Sequence, residues 1–313
     1  VRRRFSGEDG TELAATVAGD GPCVLLIHGF PGTSYSWRHQ VPALADAGYQ
    51  AVAVDCRGYG DSGRPAASCY PGTTVLGDLL AVLDGLDVGT AHVVGQDFGA
   101  QYAWSLAQRH PERVTTVLTT VPFQEPGEHP PTVGFAAVAA RHFLHLHYFQ
   151  EAGRAEQDLG GDRLAEFLRR LLWALSAEGD LLAAFGHGSD SSYLDALPPA
   201  PPLPWRWLTE TDFATFVDAY AAGGGIAHPG RELAGGLASY RAADVDWAEA
   251  RRWADTPISV PAKLVMGERD PVRTFAEPDP GDVVFVPGAG HHVQQEQPAV
   301  FTRILLDWLS SRR

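Results

Sequence analysis

Residues Gly95-Gln96-Asp97-Phe98-Gly99 place a carboxylate where a short buried strand, Ala91 to Val94, hands over to a helix, Ala100 to His110, that runs up to Pro111. The two glycines let strand and helix crowd around a sharply bent central residue. A side chain lifted out of such a turn is presented as a nucleophile. A serine there would attack acyl carbon. A carboxylate suits displacement at saturated carbon, where opening a strained ring or expelling a halide leaves an alkyl ester on the enzyme. That ester must then be hydrolysed, which calls for a base, a group that orients it, and donors for an oxyanion.

Taken alone, the turn also describes an ordinary loop aspartate. Three further features arrive in a useful order. Upstream, Cys23-Val24-Leu25-Leu26-Ile27 is a buried strand running into His28-Gly29-Phe30-Pro31-Gly32, a glycine-rich loop that can aim a backbone N–H at an oxyanion. Downstream, the strand Ala262 to Met266 ends in Gly267-Glu268-Arg269-Asp270-Pro271, so Asp270 sits in a loop at a strand end. A last strand, Val283 to Val286, leads to Gly288-Ala289-Gly290-His291-His292 and an amphipathic helix from Pro298 to Leu309.

Those elements belong to an alternating pattern. Strands are expected near Leu13 to Ala18, Val24 to Ile27, Gln50 to Val54, Ala91 to Val94 and Thr115 to Thr120, with helices near Trp37 to Ala47, Thr74 to Leu86 and Ala100 to His110. Alternation of this kind implies an α/β fold, a mostly parallel sheet flanked by helices. From Gln124 to Trp247 strand signals vanish and helical stretches such as Asp162 to Leu175 and Thr211 to Ala222 take over, split by Leu197 to Pro204 and by Gly223-Gly224-Gly225. The expected organisation is therefore a core of residues 1–123 and 248–313, interrupted by a helical lid over residues 124–247. Pro198-Pro199-Ala200-Pro201-Pro202 reads as a stiff connector inside that lid rather than a partner-binding site. The chain shows no internal repeat.

Composition narrows the class. With 313 residues, 45% of them apolar, the chain can bury a sizeable core, and a formal charge of −14 argues against a nucleic-acid partner. Cys23, Cys56 and Cys69 have no C-x-x-C spacing, and their odd number suggests reduced thiols. No apolar run approaches a membrane span, and Arg2-Arg3-Arg4 is not followed by a signal-peptide core, so a cytoplasmic location is expected. The start at Val1 rather than Met leaves room for a few residues ahead of it. Self-association into a homo-oligomer is left open.

Taken together, His28-Gly29-Phe30-Pro31, Tyr35-Ser36-Trp37-Arg38-His39-Gln40, Asp55-Cys56-Arg57-Gly58-Tyr59-Gly60-Asp61-Ser62, the Asp97 turn, Pro111-Glu112-Arg113-Val114 and Gly290-His291 resemble the epoxide hydrolases of the α/β-hydrolase fold. The resemblance runs over nearly the whole chain, and the order nucleophile, acid, histidine is that of the fold group. It implies a carboxylate nucleophile, Asp97, a base, His291, oriented by Asp270, and an oxyanion hole from the backbone N–H groups of Phe30 and Phe98. It implies no cofactor and no metal; the partners are a small apolar epoxide and water. Glu125 and Glu268 are alternative acids, and His292 is the alternative base.

Ring opening turns the epoxide oxygen into an alkoxide, which needs donors opposite the nucleophile. In the family two lid tyrosines serve, and Tyr240 in Leu237-Ala238-Ser239-Tyr240-Arg241 matches the second. The first position, aligned on Tyr148-Phe149-Gln150-Glu151, is occupied by His145, with Tyr148 in reserve. A histidine of ordinary pKa, about 6.5, donates better when protonated, so alkylation is expected to depend on pH below neutrality. His142, His145 and His147 lack the i, i+4 spacing of a zinc-binding helix and are not read as metal ligands. Trp173, Trp205, Trp207 and Phe213 suggest either an apolar pocket or lid packing.

Two other functions compete. A haloalkane or haloacid dehalogenase would use the same carboxylate, but its relatives resemble one another in a tryptophan or arginine after the nucleophile. Here that residue is Phe98, and Gln101 stands where a haloacid would want an arginine. A non-catalytic, ligand-binding member of the fold has no need of Asp97, Asp270 and His291 together.

Overall fold

A computed structural model of the protein describes residues 1–222, 231–275 and 283–312. The glycine run Gly223 to Gly225 lies outside the described residues. Eight strands form one sheet: β1 (Arg2–Ser6), β2 (Glu12–Ala18), β3 (Cys23–Ile27), β4 (Gln50–Asp55), β5 (Ala91–Gly95), β6 (Val114–Thr119), β7 (Ala262–Gly267) and β8 (Val283–Val286). Their spatial order is β1-β2-β4-β3-β5-β6-β7-β8. β1 with β2 and β2 with β4 are antiparallel, and every other pair is parallel.

The central strands are apolar throughout because helices cover both faces of the sheet. Strand period two divides them. Leu25 and Ile27 join Val52, Val54 and Val93 in one core, while Val24 and Leu26 join Ala51, Ala53 and Val94 in the other. The first core is closed by α2 (Gly72–Asp84) and α3 (Phe98–Arg109), through Leu76, Leu79, Tyr102 and Leu106. The second is closed by Leu44 of α1 (Gln40–Asp46) and by Phe301 and Leu305 of the C-terminal helix, Pro298–Ser310.

Two differences from the sequence reading have physical reasons. β1 carries Arg2-Arg3-Arg4 and no apolar alternation, so it gave no strand signal; it is an edge strand, with Arg2 paired to Asp55 and, at 2.9 Å, to Asp61. The helix expected from Trp37 is instead a 3₁₀ turn, Ser34–Trp37, followed by α1 from Gln40. Starting there leaves Pro42 in the first helical turn, where its missing N–H is not needed.

Between β6 and β7 the chain leaves the sheet and runs through helices: α4 (Pro131–Ala139), α5 (His145–Tyr148), α6 (Arg154–Leu159), α7 (Leu164–Leu175), α8 (Tyr193–Ala196), α9 (Glu210–Ala221), α10 (Ala234–Arg241) and α11 (Ala243–Ala250). Phe143, Phe149, Phe167 and Tyr193 from this excursion share the first core with Phe30 and Tyr59 of the sheet loops, so the excursion packs over the strand ends. The proline-rich stretch runs along α7, where Arg169 donates to the carbonyls of Ala200 and Pro201. After β8 come α12 (Val293–Glu296) and α13 (Pro298–Ser310).

Candidate active site

Asp97 sits between β5 and α3 at φ 56°, ψ −122°, a conformation costly for a residue with a side chain. The flanking residues must be small for this bend to form. A Cβ on Gly95 would collide with the Gly99 carbonyl, and one on Gly99 with the Ile27 carbonyl. The carboxylate is thus lifted out at the strand end, where Oδ1 accepts a hydrogen bond from the Phe30 N–H at 2.8 Å. Phe98 opens α3, so its N–H has no partner within the helix.

His291 approaches from the loop after β8. Its Nε2 lies 3.3 Å from Asp97 Oδ2, and its Nδ1 lies 3.0 Å and 3.1 Å from the two oxygens of Asp270. Both His291 and Asp270 are buried. Asp270 is itself held by the Val272 N–H at 2.8 Å. Burial works against the charged imidazole, but the Asp270 carboxylate, its hydrogen bond and Asp97 outweigh it and raise the pKa of His291 from 6.5 to about 10.

The alternatives are elsewhere. His292 packs against Trp207, with ring centroids 5.4 Å apart, and burial, His291 and Arg38 hold its pKa well below 6.5. Glu268 is exposed and accepts from the Gly288 N–H at 3.4 Å, and Glu125 is exposed. Neither makes the contact to His291 Nδ1 that Asp270 makes.

Opposite Asp97, Tyr240 from α10 and His145 from α5 face the same cavity, their rings edge to face with centroids 5.9 Å apart. Tyr240 also meets Phe98 edge-on at 4.8 Å, and Phe30 at 5.8 Å. The hydroxyl of Tyr148 donates instead to Asp158 at 2.8 Å, which removes it as the reserve donor. Burial drives the pKa of His145 down to about 4 against the pull of Asp97. Its imidazole is therefore neutral near pH 7, and the pH dependence expected of it below neutrality moves to about pH 4.

Sequence reasoning missed Tyr193, which stacks on His145 with centroids 5.4 Å apart and planes 13° apart. It lies 48 residues further along the chain, and no local pattern in the sequence links the two. The cavity has a volume of about 560 Å³ and is walled by Phe30, Phe98, Trp104, Leu175 and Leu181 among others. Trp173, Trp205, Trp207 and Phe213 are absent from its wall and pack together beside Leu172 and Phe216, so their role is in holding the excursion together. His142 donates from Nδ1 to the Phe185 carbonyl at 3.1 Å, and His147 is exposed. Among the described residues no group of three or more His, Cys, Asp or Glu side chains is arranged to hold a metal, and no helix is long and apolar enough to cross a membrane.

A sheet of this order with a carboxylate at the β5 turn defines an α/β-hydrolase fold, and the family of that description matches residues 22–199. Epoxide hydrolase A of Mycobacterium tuberculosis is 37% identical, over 98% of this chain and 97% of its own. Epoxide hydrolase 2 of Siraitia grosvenorii is 32% identical over 96% of each. Among solved structures, epoxide hydrolase A from Mycobacterium thermoresistibile superposes with a TM-score of 0.89 at 35% identity, covering 99% of this chain and 98% of that one. An epoxide hydrolase from an endophytic Streptomyces gives 0.88 at 35% identity, covering 99% and 95%. The chain belongs to the epoxide hydrolase family of the α/β-hydrolase fold.

Proposed function

We propose that this protein hydrolyses epoxides to vicinal diols through a hydroxyalkyl ester on Asp97, beneath a lid formed by residues 124–247. The observation that carries this reading is the placing of one carboxylate between a backbone donor, Phe30 N–H, and an acid-backed imidazole, His291, facing two ring donors across an apolar cavity.

In the first stage an Asp97 oxygen attacks one epoxide carbon, the ring C–O bond breaks, and the leaving oxygen takes its proton from Tyr240, with His145 donating a hydrogen bond beside it. In the second, His291 Nε2 takes a proton from water, which adds to the ester carbonyl. The oxyanion is held by the N–H groups of Phe30 and Phe98. Collapse expels the diol oxygen, which is protonated by His291, and the Asp97 carboxylate returns with one oxygen from water. Tyr240 is reprotonated by the proton that His291 gives up when the ester forms, and the new Asp97 carboxyl group passes its own proton to His291, so both groups return to their starting states.

The charges favour this sequence. Ionised Asp97 helps to keep His291 protonated. Forming the ester neutralises Asp97, removes that support and lowers the imidazole pKa, so the base becomes available when there is an ester to hydrolyse. Halide release is less well supported. Phe98 offers only its backbone, and the two indoles on the cavity wall already have acceptors, Trp104 donating to the Val121 carbonyl at 2.9 Å and Trp247 to the Gly127 carbonyl at 2.8 Å.

A single-turnover reaction in oxygen-18 water tests the proposal. The label should enter the Asp97 side chain and be missing from most of the diol. Label appearing directly in the diol would indicate water attack with no covalent stage.

A further inference from the structure

The imidazole of His291 is held by Asp270, but something must also hold the backbone that carries it. Gly290, His291 and His292 form a loop between β8 and α12, and loops of this kind move unless their amides are bound. Each of the three amides has a partner. The Gly290 N–H donates to Glu296 Oε2 at 3.0 Å, and the His292 N–H to Glu296 Oε1 at 3.1 Å. Between them, the His291 N–H donates to the Leu175 carbonyl at 2.9 Å.

Glu296 has a third bond, from the Ala177 N–H to Oε2 at 2.9 Å. Leu175 ends α7 and Ala177 follows it, so the same carboxylate grips the histidine loop on both sides of His291 and the end of a helix from the excursion. There is no slack at this joint, since a Cβ on Gly290 would collide with the backbone of Ser176 and Ala177. Glu296 is 4% exposed and makes no ion pair with Lys or Arg among the described residues. Burying a carboxylate is costly unless donors surround it. Three backbone donors do so here, and a neutral amide could not accept them all, because one of its two arms would present N–H to N–H.

We propose that Glu296 is a positioning residue for His291: by clamping the backbone on both sides of the imidazole and joining it to the end of α7, it sets the rate at which the Asp97 ester is hydrolysed. This rests on the covalent reading above, and it separates the two stages. Alkylation needs Asp97 and the ring donors, which Glu296 does not touch. Hydrolysis needs Nε2 aimed at a water beside the ester.

The test is Glu296→Gln in the full chain, with the rise and decay of the Asp97 adduct followed by intact mass after mixing with styrene oxide. Misplacement of the base should slow decay by roughly tenfold or more while the adduct forms at the parental rate. Nitrogen-15 NMR of the ring should show His291 titrating at lower pH than in the parent, since a loosened loop weakens the contacts with Asp270 and Asp97 that keep the imidazole protonated. Equal loss of both rates, or adduct decay at the parental rate, overturns the inference. Should Glu296→Gln fail to fold, Glu296→Asp keeps the charge, shortens the reach and is judged by the same two rates. If the parent never forms an adduct, the covalent reading has failed, while the NMR titration still decides whether Glu296 governs His291.

Discussion

His291 Nε2 stands 3.3 Å from Asp97 Oδ2, so the base and the nucleophile of the proposed mechanism are in direct contact. Asp270 and, while it is ionised, Asp97 hold a proton on the imidazole. Esterifying Asp97, as proposed, would remove the smaller of these two supports and leave Asp270 in place.

Asp97→Ala should leave the fold intact and abolish diol formation, because no carboxylate remains to form the ester. A gas-chromatographic assay on an epoxide panel checks it, and undiminished turnover would sink the mechanism. Asp97→Gly should be just as inactive but more stable than the alanine variant by about 1 kcal/mol, since only glycine takes a positive φ without strain. Comparing the two melting curves isolates the backbone, as neither variant has the carboxylate.

His291→Gln should still be alkylated and should accumulate protein heavier by one substrate mass. Asp270→Asn should behave similarly, because an amide whose oxygen stays on the Val272 N–H turns its own N–H towards Nδ1, and the charge that supports the imidazolium is gone. His292→Gln should accumulate nothing, its ring lying against Trp207. Intact-mass spectrometry distinguishes the three, and an adduct confined to the His292 variant would reverse the assignment.

The folded-state pKa of His291, about 10, lies above its ordinary 6.5. Its contribution to stability is therefore complete below about pH 6.5 and is lost as pH rises through about 10. Melting temperature should fall over that interval, and the fall should be shallower in Asp270→Asn. Adduct decay should accelerate with pH through a pKa below 10, because the ester has removed the Asp97 charge. A decay rate indifferent to pH from 6 to 10 would contradict the charge argument.

His145→Phe should slow alkylation, by on the order of a hundredfold if it behaves like loss of an oxyanion donor, while His145→Tyr retains much of the rate. Tyr240→Phe should be at least as damaging. With its pKa near 4, His145 should give the parent an alkylation rate that is flat from pH 5 to 8 and changes only towards pH 4. An inflection near pH 6.5 that disappears in His145→Tyr would show that the ring is more solvated than its packing against Tyr193 and Phe149 implies.

What the sequence determined by itself is whatever depends on neighbours along the chain. The continuous apolar runs of β3, β4 and β5, the small residues around Asp97, the proline after α3 and the order Asp97, Asp270, His291 are local facts, and they sufficed for the sheet without its edge strand β1, the turn and the set of candidate residues. The chain could not choose within that set, because the choice depends on what faces each side chain across the fold. His291 and His292 are adjacent in sequence, yet one meets two carboxylates and the other an indole. Tyr148 matches the lid motif as well as its neighbours do, until α6 supplies Asp158 and takes its hydroxyl. The charge state of His145 follows from its packing against Phe149, Tyr193 and Tyr240, and the role argued for Glu296 follows in part from the Ala177 amide, 119 residues away in the chain. Burial, desolvation and the convergence of donors are properties of the packed interior, so only the tertiary structure decides them.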